Sequence, residues 1–435
     1  MANGQQMWGW ANDLFPICRS ITGPGVRQTL QYFSHLLPNF TIHSVPSGTQ
    51  AFDWIVPDEW TVDDAYVEDS TGRRVIDFQR SNLHLMSYSI PVDQWMSLED
   101  LDKHLYSLPE QPEAIPYVTS YYNRRWGFCL QHNDRLKLSD ERYRVVIKTE
   151  LKKGEMNYGE LIIPGREKKE ILLSTYICHP SLANNELSGP VVTTALAQWI
   201  ASLHDRRYTY RIIFIPETIG SIVYISKHLE ILKQRTEAGF IVTCVGDDRT
   251  YSYLSSRKGG TLADRAAVYA LEQHTDHFES YSFLDRGSDE RQFGSAKVDL
   301  PLCSIMRSRY GSYPEYHTSL DDMTLISPEG LEGAFEVLRT AISTLEMNRV
   351  LVANFPCEPH FSKYGQTTRL VGGAKVPMDQ KLVSDMLAYA DGTMDLLEMA
   401  KFFGQTIDDI DKVASLLESL DMVTAFSSLS AAQST

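Results

Sequence analysis

Between residues 155 and 345 the chain alternates short, almost wholly apolar runs with longer amphipathic ones, and this restricts its fold more than any other feature. ILLSTYI (171–177), YRIIFIP (210–216), FIVTCV (240–245) and LPLCSIM (300–306) have strand length and lack a polar-outward alternation, as strands buried on both faces do. Helical patterns occupy 188–203, 221–235 and 262–274, and a long one starts at Ser327, whose side chain can cap it ahead of Pro328 in the first turn. Strands alternating with helices in this way predict an α/β domain, here 151–360, with a largely parallel sheet covered by helices.

The flanking regions read differently. Residues 1–44 hold two helical patterns, WGWANDLF and VRQTLQYFSHLL, parted by TGPG at 22–25, and are assigned to the same domain. From 45 to 150 short runs rich in β-branched and aromatic residues (FDWIV, YRVVIKTEL), with one helical stretch near 97–107, predict an inserted, mostly-β domain. Residues 375–435 hold three short helical patterns and an apolar end, MVTAF, which predict a winged-helix-like module. That module has ten acidic residues against four lysines, and no arginine or histidine. The whole chain has 56 acidic and 41 basic residues, a net charge of −15. Such a balance repels phosphate backbones, so no nucleic-acid partner is expected; the module reads as a docking element, and a homo-oligomer could form through it or through the inserted domain. No run approaches the ~18 apolar residues of a membrane span, nor does the start resemble a secretory signal; no membrane association and a cytoplasmic location are expected. Cysteines at 18, 129, 178, 244, 303 and 357 form no C-x-x-C pair, which speaks against a disulfide framework or a zinc ribbon.

Four places carry candidate chemistry. His179 follows the run 171–177, and Glu217 follows the run 210–216. Asp289 lies in LDRGSDERQF beside Asp285, Glu290 and Arg291, and His317 lies in YPEYHTSLDDM after Tyr316. Open α/β sheets bind ligands outside the carboxyl ends of their strands, where His179 and Glu217 fall. Each has an ordinary structural reading as a turn cap, a helix-start carboxylate or a solvated loop charge. Their order within one domain is more specific than any member. Histidine with carboxylate suits zinc with one position open to water, and Glu217 suits a general base. Asp247, in CVGDDRTYSY, either binds a substrate amine or ends a turn. Arg291, Arg309 and Tyr316 are candidates for substrate binding, and arginines here would suit an anionic substrate such as an acidic or nucleotide-linked sugar.

Through RSITGPGVRQTL, VPSGTQAFDW, CHPSLANNELSGP, PETIGS, GSDERQF and YHTSLDD the chain resembles zinc aminopeptidases of the bacterial leucyl-aminopeptidase type. It is more closely similar to the aminopeptidase-like proteins labelled as polysaccharide-biosynthesis proteins. The resemblance spans nearly the whole chain. It implies a zinc-aminopeptidase-like α/β fold with a mixed, mainly parallel sheet, an inserted β domain and a C-terminal winged helix. It further implies His179, Asp289 and His317 as metal ligands and Glu217 as general base. The pattern's bridging aspartate falls on Asn185 and its ligating second glutamate on Thr218, and its aspartate two residues after the first histidine falls on Ser181; Glu186 stands beside Asn185, so either Asn185 or Glu186 could complete the site. Too few carboxylates remain to offset two adjacent dications, and one zinc per chain is expected. The expected activity is metal-dependent hydrolysis of an amide in a peptide, amino-sugar or glycoconjugate. The alternative is a catalytically decayed binding or scaffolding protein in surface-polysaccharide synthesis.

Overall fold

The computed structural model describes residues 2–364 and 378–427, so 375–377 and 428–435 of the expected C-terminal module lie outside the described residues. The chain forms two compact units, Met1–Arg339 and Thr340–Thr435.

The first unit is built on an eight-stranded sheet. Its strands are β1 (Thr41–Pro46), β2 (Glu155–Ile163), β3 (Glu170–Tyr176), β4 (Thr209–Ile215), β5 (Thr236–Ile241), β6 (Ser252–Leu254), β7 (Glu279–Tyr281) and β8 (Leu302–Met306). They lie in the order β1-β2-β4-β3-β5-β8-β6-β7. The centre, β4-β3-β5-β8, is parallel. Towards one edge β2 and β1 each run against their neighbour, and towards the other β6 opposes β8 while β7 follows β6. The sheet is therefore mixed and mainly parallel, as expected. β3 is buried at all seven positions and β4 at six of seven, which is why their sequences are continuous apolar runs.

Helices α1 (Gly4–Leu14), α2 (Pro24–Leu36), α3 (Ser188–Ser202), α4 (Ile219–Arg235) and α5 (Leu262–His274) accompany this sheet, and α6 (Pro328–Met347) spans the boundary between the two units. α3 starts close against the chain leaving β5. A Cβ at Gly189 would lie 2.3 Å from the Val242 carbonyl oxygen, so glycine is required for that approach. Between β1 and β2 the chain leaves the sheet to form a second, antiparallel one from Arg74–Asp77, Glu59–Glu68, Arg142–Lys152 and Val92–Ser97, in that order. Among the described residues no helix is long and apolar enough to cross a membrane.

After β3 the chain adds β4 on one side and then crosses to β5 on the other. Such a reversal opens a crevice beyond the carboxyl ends of the strands, where ligands bind in sheets of this kind. His179, Glu217 and Asp247 follow β3, β4 and β5 at that end.

In the second unit β9 (Val350–Ala353) lies between β10 (Asp391–Asp395) and β11 (Val423–Phe426), antiparallel to both. Its helices are α7 (Met378–Ala388), α8 (Leu396–Phe403) and α9 (Ile407–Ser419). Gly404 ends α8 in the left-handed region (φ 62°), and Thr406 caps α9 by accepting from Asp409 N. β9 precedes residue 375, where the sequence pattern starts the module; VLVA directly after a long helix reads as its apolar continuation.

Candidate functional site

β3 delivers Cys178 and His179 into the crevice, and both are buried. The chain then makes a π-helical turn, Ala183–Leu187, before α3; such turns gather at functional sites. The Asp321 carboxylate holds it, accepting from the backbone N–H groups of Ala183 (3.1 Å), Asn184 (2.6 Å) and Asn185 (3.0 Å). A carboxylate at a helix start satisfies orphan donors and complements the dipole.

Within that turn Glu186 points back at His179, with Oε2 2.8 Å from Nδ1. Its Oε1 is 3.3 Å from Nε of Arg19, and both side chains are fully buried. Arg19, from the segment between α1 and α2, also donates to the His179 carbonyl (2.9 Å) and the Leu14 carbonyl (2.7 Å). Burial works to lower the His179 pKa, but the hydrogen bond and charge of Glu186 outweigh it and the net shift is upward. With Nδ1 taken by a carboxylate, the neutral ring carries its proton there and leaves a lone pair on Nε2. That nitrogen is 3.7 Å from Glu217 Oε2.

Glu217 leaves β4 through an unusual turn. Ile219 N donates to Glu217 O (2.8 Å) across Thr218, whose backbone sits at φ 65° and ψ −73°. This is the rarer, strained hand of the γ-turn, adopted by a β-branched residue. Asp289 grips the turn, its Oδ1 accepting from Thr218 N and Ser221 Oγ, both at 2.8 Å. Burial, and then the charge of Glu217, push the Asp289 pKa up to about 7.

His317 also has positive φ, 56°. Tyr316 stacks on its ring with centroids 3.9 Å apart, and the His179 ring centre is 5.4 Å away. Burial, with the charge of His179 second, pushes its pKa down to about 3, so the ring is neutral. The inserted segment supplies Tyr117, edge-on to both imidazoles at 5.2 Å, with its N–H donating to the His317 carbonyl (2.8 Å).

The expected metal residues leave buried atoms unpaired: Asn185 Oδ1, Asp289 Oδ2 and His317 Nε2 have no hydrogen-bond partner, nor has Glu186 Oε1, which meets Arg19 only as an ion pair. A buried polar group so left costs about 1–3 kcal/mol. Their chemistry, with that of His179 Nε2, is the mixture of N and O donors that zinc takes. Cys178, His179 and Glu186 offer ligand atoms within 4.8 Å of one another, but they fit a cation poorly. Burial raises the Cys178 thiol pKa well above its ordinary value, and the Glu186 carboxylate is engaged by Arg19 and His179.

The other sequence candidates separate. Asp247 is a brace rather than an amine site: its oxygens accept from Asn184 Nδ2, Arg249 N, and Ser308 N and Oγ, at 2.8–3.0 Å. Arg291 donates to Thr218 Oγ1 (3.0 Å) and the Ser288 carbonyl (3.1 Å). Arg309 donates to the Asp285 carbonyl and lies over the Tyr281 ring. Ser181 pins the loop, donating to the Phe15 carbonyl and accepting from Asn82 Nδ2. Arg19, Tyr117 and Asp321 had no functional reading. RSITGPG offers a hint for Arg19, as a charged residue in an otherwise uncharged motif, whereas nothing local marks Tyr117.

Residues 8–348 match the family model described as a domain of unknown function (DUF4910), and residues 349–425 match a winged helix-turn-helix. A Clostridium acetobutylicum protein provisionally named a polysaccharide biosynthesis protein with aminopeptidase-like domain is 40% identical over 421 residues, 97% of this chain and 96% of that one. The crystal structure of a Clostridium acetobutylicum protein, provisionally described as a peptidase, has a TM-score of 0.90 at 39% identity, covering 97% of this chain and 96% of that one. BSAP, a zinc aminopeptidase from Bacillus subtilis, shares the fold, with a TM-score of 0.57 at 14% identity over 78% of this chain and 94% of that one. The chain belongs to the DUF4910 family of aminopeptidase-like proteins, and it carries a winged helix-turn-helix at its C-terminal end.

Proposed function

We propose that this protein is a hydrolase that cleaves an amide bond with one zinc ion per chain, held by His179, Asp289 and His317 with Asn185 Oδ1 as a weaker neutral donor. The observation that carries this reading is that Asn185 Oδ1, Asp289 Oδ2 and His317 Nε2 are buried and unpaired while His179 Nε2 lies 3.7 Å from Glu217 Oε2. Zinc bound there would polarise the carbonyl and lower the pKa of water. Glu217, partly exposed while its neighbours are buried, accepts the proton from the attacking water and returns it to the leaving amine. Glu186 is assigned to orienting His179 rather than to ligation, because its Oε2 bonds His179 Nδ1 and its charge neutralises the buried Arg19. Tyr117 and Tyr316 hold the His317 ring between them and shield the site from bulk water. The name of the Clostridium acetobutylicum relative favours an amide on an amino sugar or glycoconjugate as substrate.

The winged helix is assigned to docking or self-association rather than to nucleic acid. α9, the second helix of the helix-turn-helix, carries Asp408, Asp409, Asp411 and Glu418 against a single lysine, Lys412, a poor charge for a phosphate backbone.

Elemental analysis together with activity toward a panel of aminoacyl anilides tests the hydrolase. About one zinc per chain is expected, lost in Asp289→Ala and His317→Ala. Glu217→Gln should keep the metal yet lose roughly 10²–10⁴-fold in rate. Two zinc equivalents would sink the single-ion assignment, and an unchanged rate in Glu217→Gln would sink the general base.

A further inference from the structure

Although this chain is acidic overall, three arginines in or bonded to the 283–291 segment, one of them also bonded to the turn that presents Glu217, meet no carboxylate among the described residues. Arg74, Arg211, Arg249 and Arg257, in other parts of the first unit, each meet a carboxylate. Arg286, Arg291 and Arg309 donate only to neutral acceptors among the described residues: the Phe283 carbonyl, Thr218 Oγ1 with the Ser288 carbonyl, and the Asp285 carbonyl. The acidic side chains beside them turn to other partners, with Asp289 Oδ2 left unpaired. Asp285 accepts from Ser282 N and Oγ, Asp289 from Thr218 N and Ser221 Oγ, and Glu290 from Ser304 Oγ, Tyr310 Oη and Ser288 N.

Arg291 is the best placed of the three. It is exposed, and its bond to Thr218 ties the guanidinium to the strained turn that presents Glu217. A guanidinium has five N–H donors in a planar fork, and Arg291 uses Nε and one Nη2 hydrogen, leaving Nη1 for a ligand. A fork fixed through its own hydroxyl and carbonyl partners loses little freedom when it binds an anion.

We propose that Arg291 recognises an anionic group, carboxylate or phosphoryl, on the substrate next to the amide that Glu217 acts on, with Arg286 and Arg309 adding to the local positive field. This deepens the hydrolase reading above and rests on it for the place of the amide, but not for the binding of the anion.

Isothermal titration of the full-length protein as purified, with inorganic phosphate and with N-acetylglycine, tests the proposal. Arg291→Gln should weaken binding of one or both by about ten-fold, the loss of one charge-assisted pair. Arg291→Lys keeps the charge without the fork and should fall between, and it serves if Arg291→Gln folds poorly. Arg73→Gln, just before the inserted strand Arg74–Asp77, should change nothing, and neutral N-acetylglycinamide should bind independently of residue 291. Dependence on Arg291 for phosphate alone assigns a phosphoryl group; dependence for N-acetylglycine alone assigns a carboxylate. Equal affinities in wild type and Arg291→Gln for both anions, or no saturable binding of either, overturn the proposal. No hydrolysis is measured, so failure of the Glu217 test and failure of this one are separate results.

Discussion

The carboxyl end of the large sheet and the C-terminal winged helix solve the same local problems with different residues. Both need backbone in the left-handed region. The winged helix places Gly392 and Gly404 there, and Asp421, a residue type that tolerates it. The sheet end places Ser181, Thr218, Cys244 and His317 there, two of them β-branched or aromatic. Both also use buried carboxylates at helix starts. Asp395 completes a reciprocal capping box with Glu398 and accepts from Asn348 Nδ2. At the sheet end Asn185 Oδ1, Asp289 Oδ2 and His317 Nε2 stay unpaired. One region follows local propensity throughout, whereas the other departs from it at the residues proposed to carry chemistry, which is where sequences that specify a single fold tolerate conflict.

The contrast is sharpest when one buried carboxylate is removed from each region. Glu186→Ala would leave Arg19 buried without its counter-ion, a change that costs about 3–5 kcal/mol. All seven tryptophans lie between residues 8 and 199, so urea denaturation followed by tryptophan fluorescence reports on the first unit alone. Asp395→Ala removes a cap and one side-chain bond, and about 1–2 kcal/mol is expected. Hydrogen exchange of the α8 amides measures it. Equal losses in the two variants would break the comparison, because the sheet end would then hold no more buried charge energy than an ordinary cap.

What could be read in the sequence follows the same division. β3 and β4 were legible because burial on both faces makes a strand apolar throughout, while β1 and β2 sit toward an edge, with mixed burial and more than a hundred residues between them. His179 and Glu217 were legible because each directly follows such a strand. Asp247 follows β5 in the same way, yet its carboxylate turns to Ser308 and Asn184; the residues after a strand do not disclose which neighbour they will meet. Arg19 meets His179 across 160 residues, and Tyr117 reaches both histidines from the inserted segment. Long-range contacts of that kind leave no periodicity, and so the residues that orient the site were harder to find than the residues proposed to act in it.

The smallest expected effect has the opposite sign and bears most directly on strain. Thr218→Gly puts a residue without a Cβ at φ 65°, which releases roughly 1–3 kcal/mol of backbone strain. Against this stand the greater freedom of glycine in the unfolded chain, about 0.4–1 kcal/mol, and the lost hydroxyl partner of Arg291, about 0.5–1.5 kcal/mol. The midpoints of these ranges leave a net gain of about 0.3 kcal/mol in the first unit, within bounds of about −1.5 and +2 kcal/mol, whereas Gly404→Ala, which imposes a Cβ at nearly the same φ in the winged helix, should lose about 1 kcal/mol. Activity should move against stability: the Thr218 N–H stays on Asp289, so zinc content is kept, but a glycine no longer fixes the direction in which Glu217 leaves β4, and kcat falls. If Thr218→Gly destabilises the first unit by more than about 1.5 kcal/mol, the turn stores no strain and the difference between the regions is one of residue type alone.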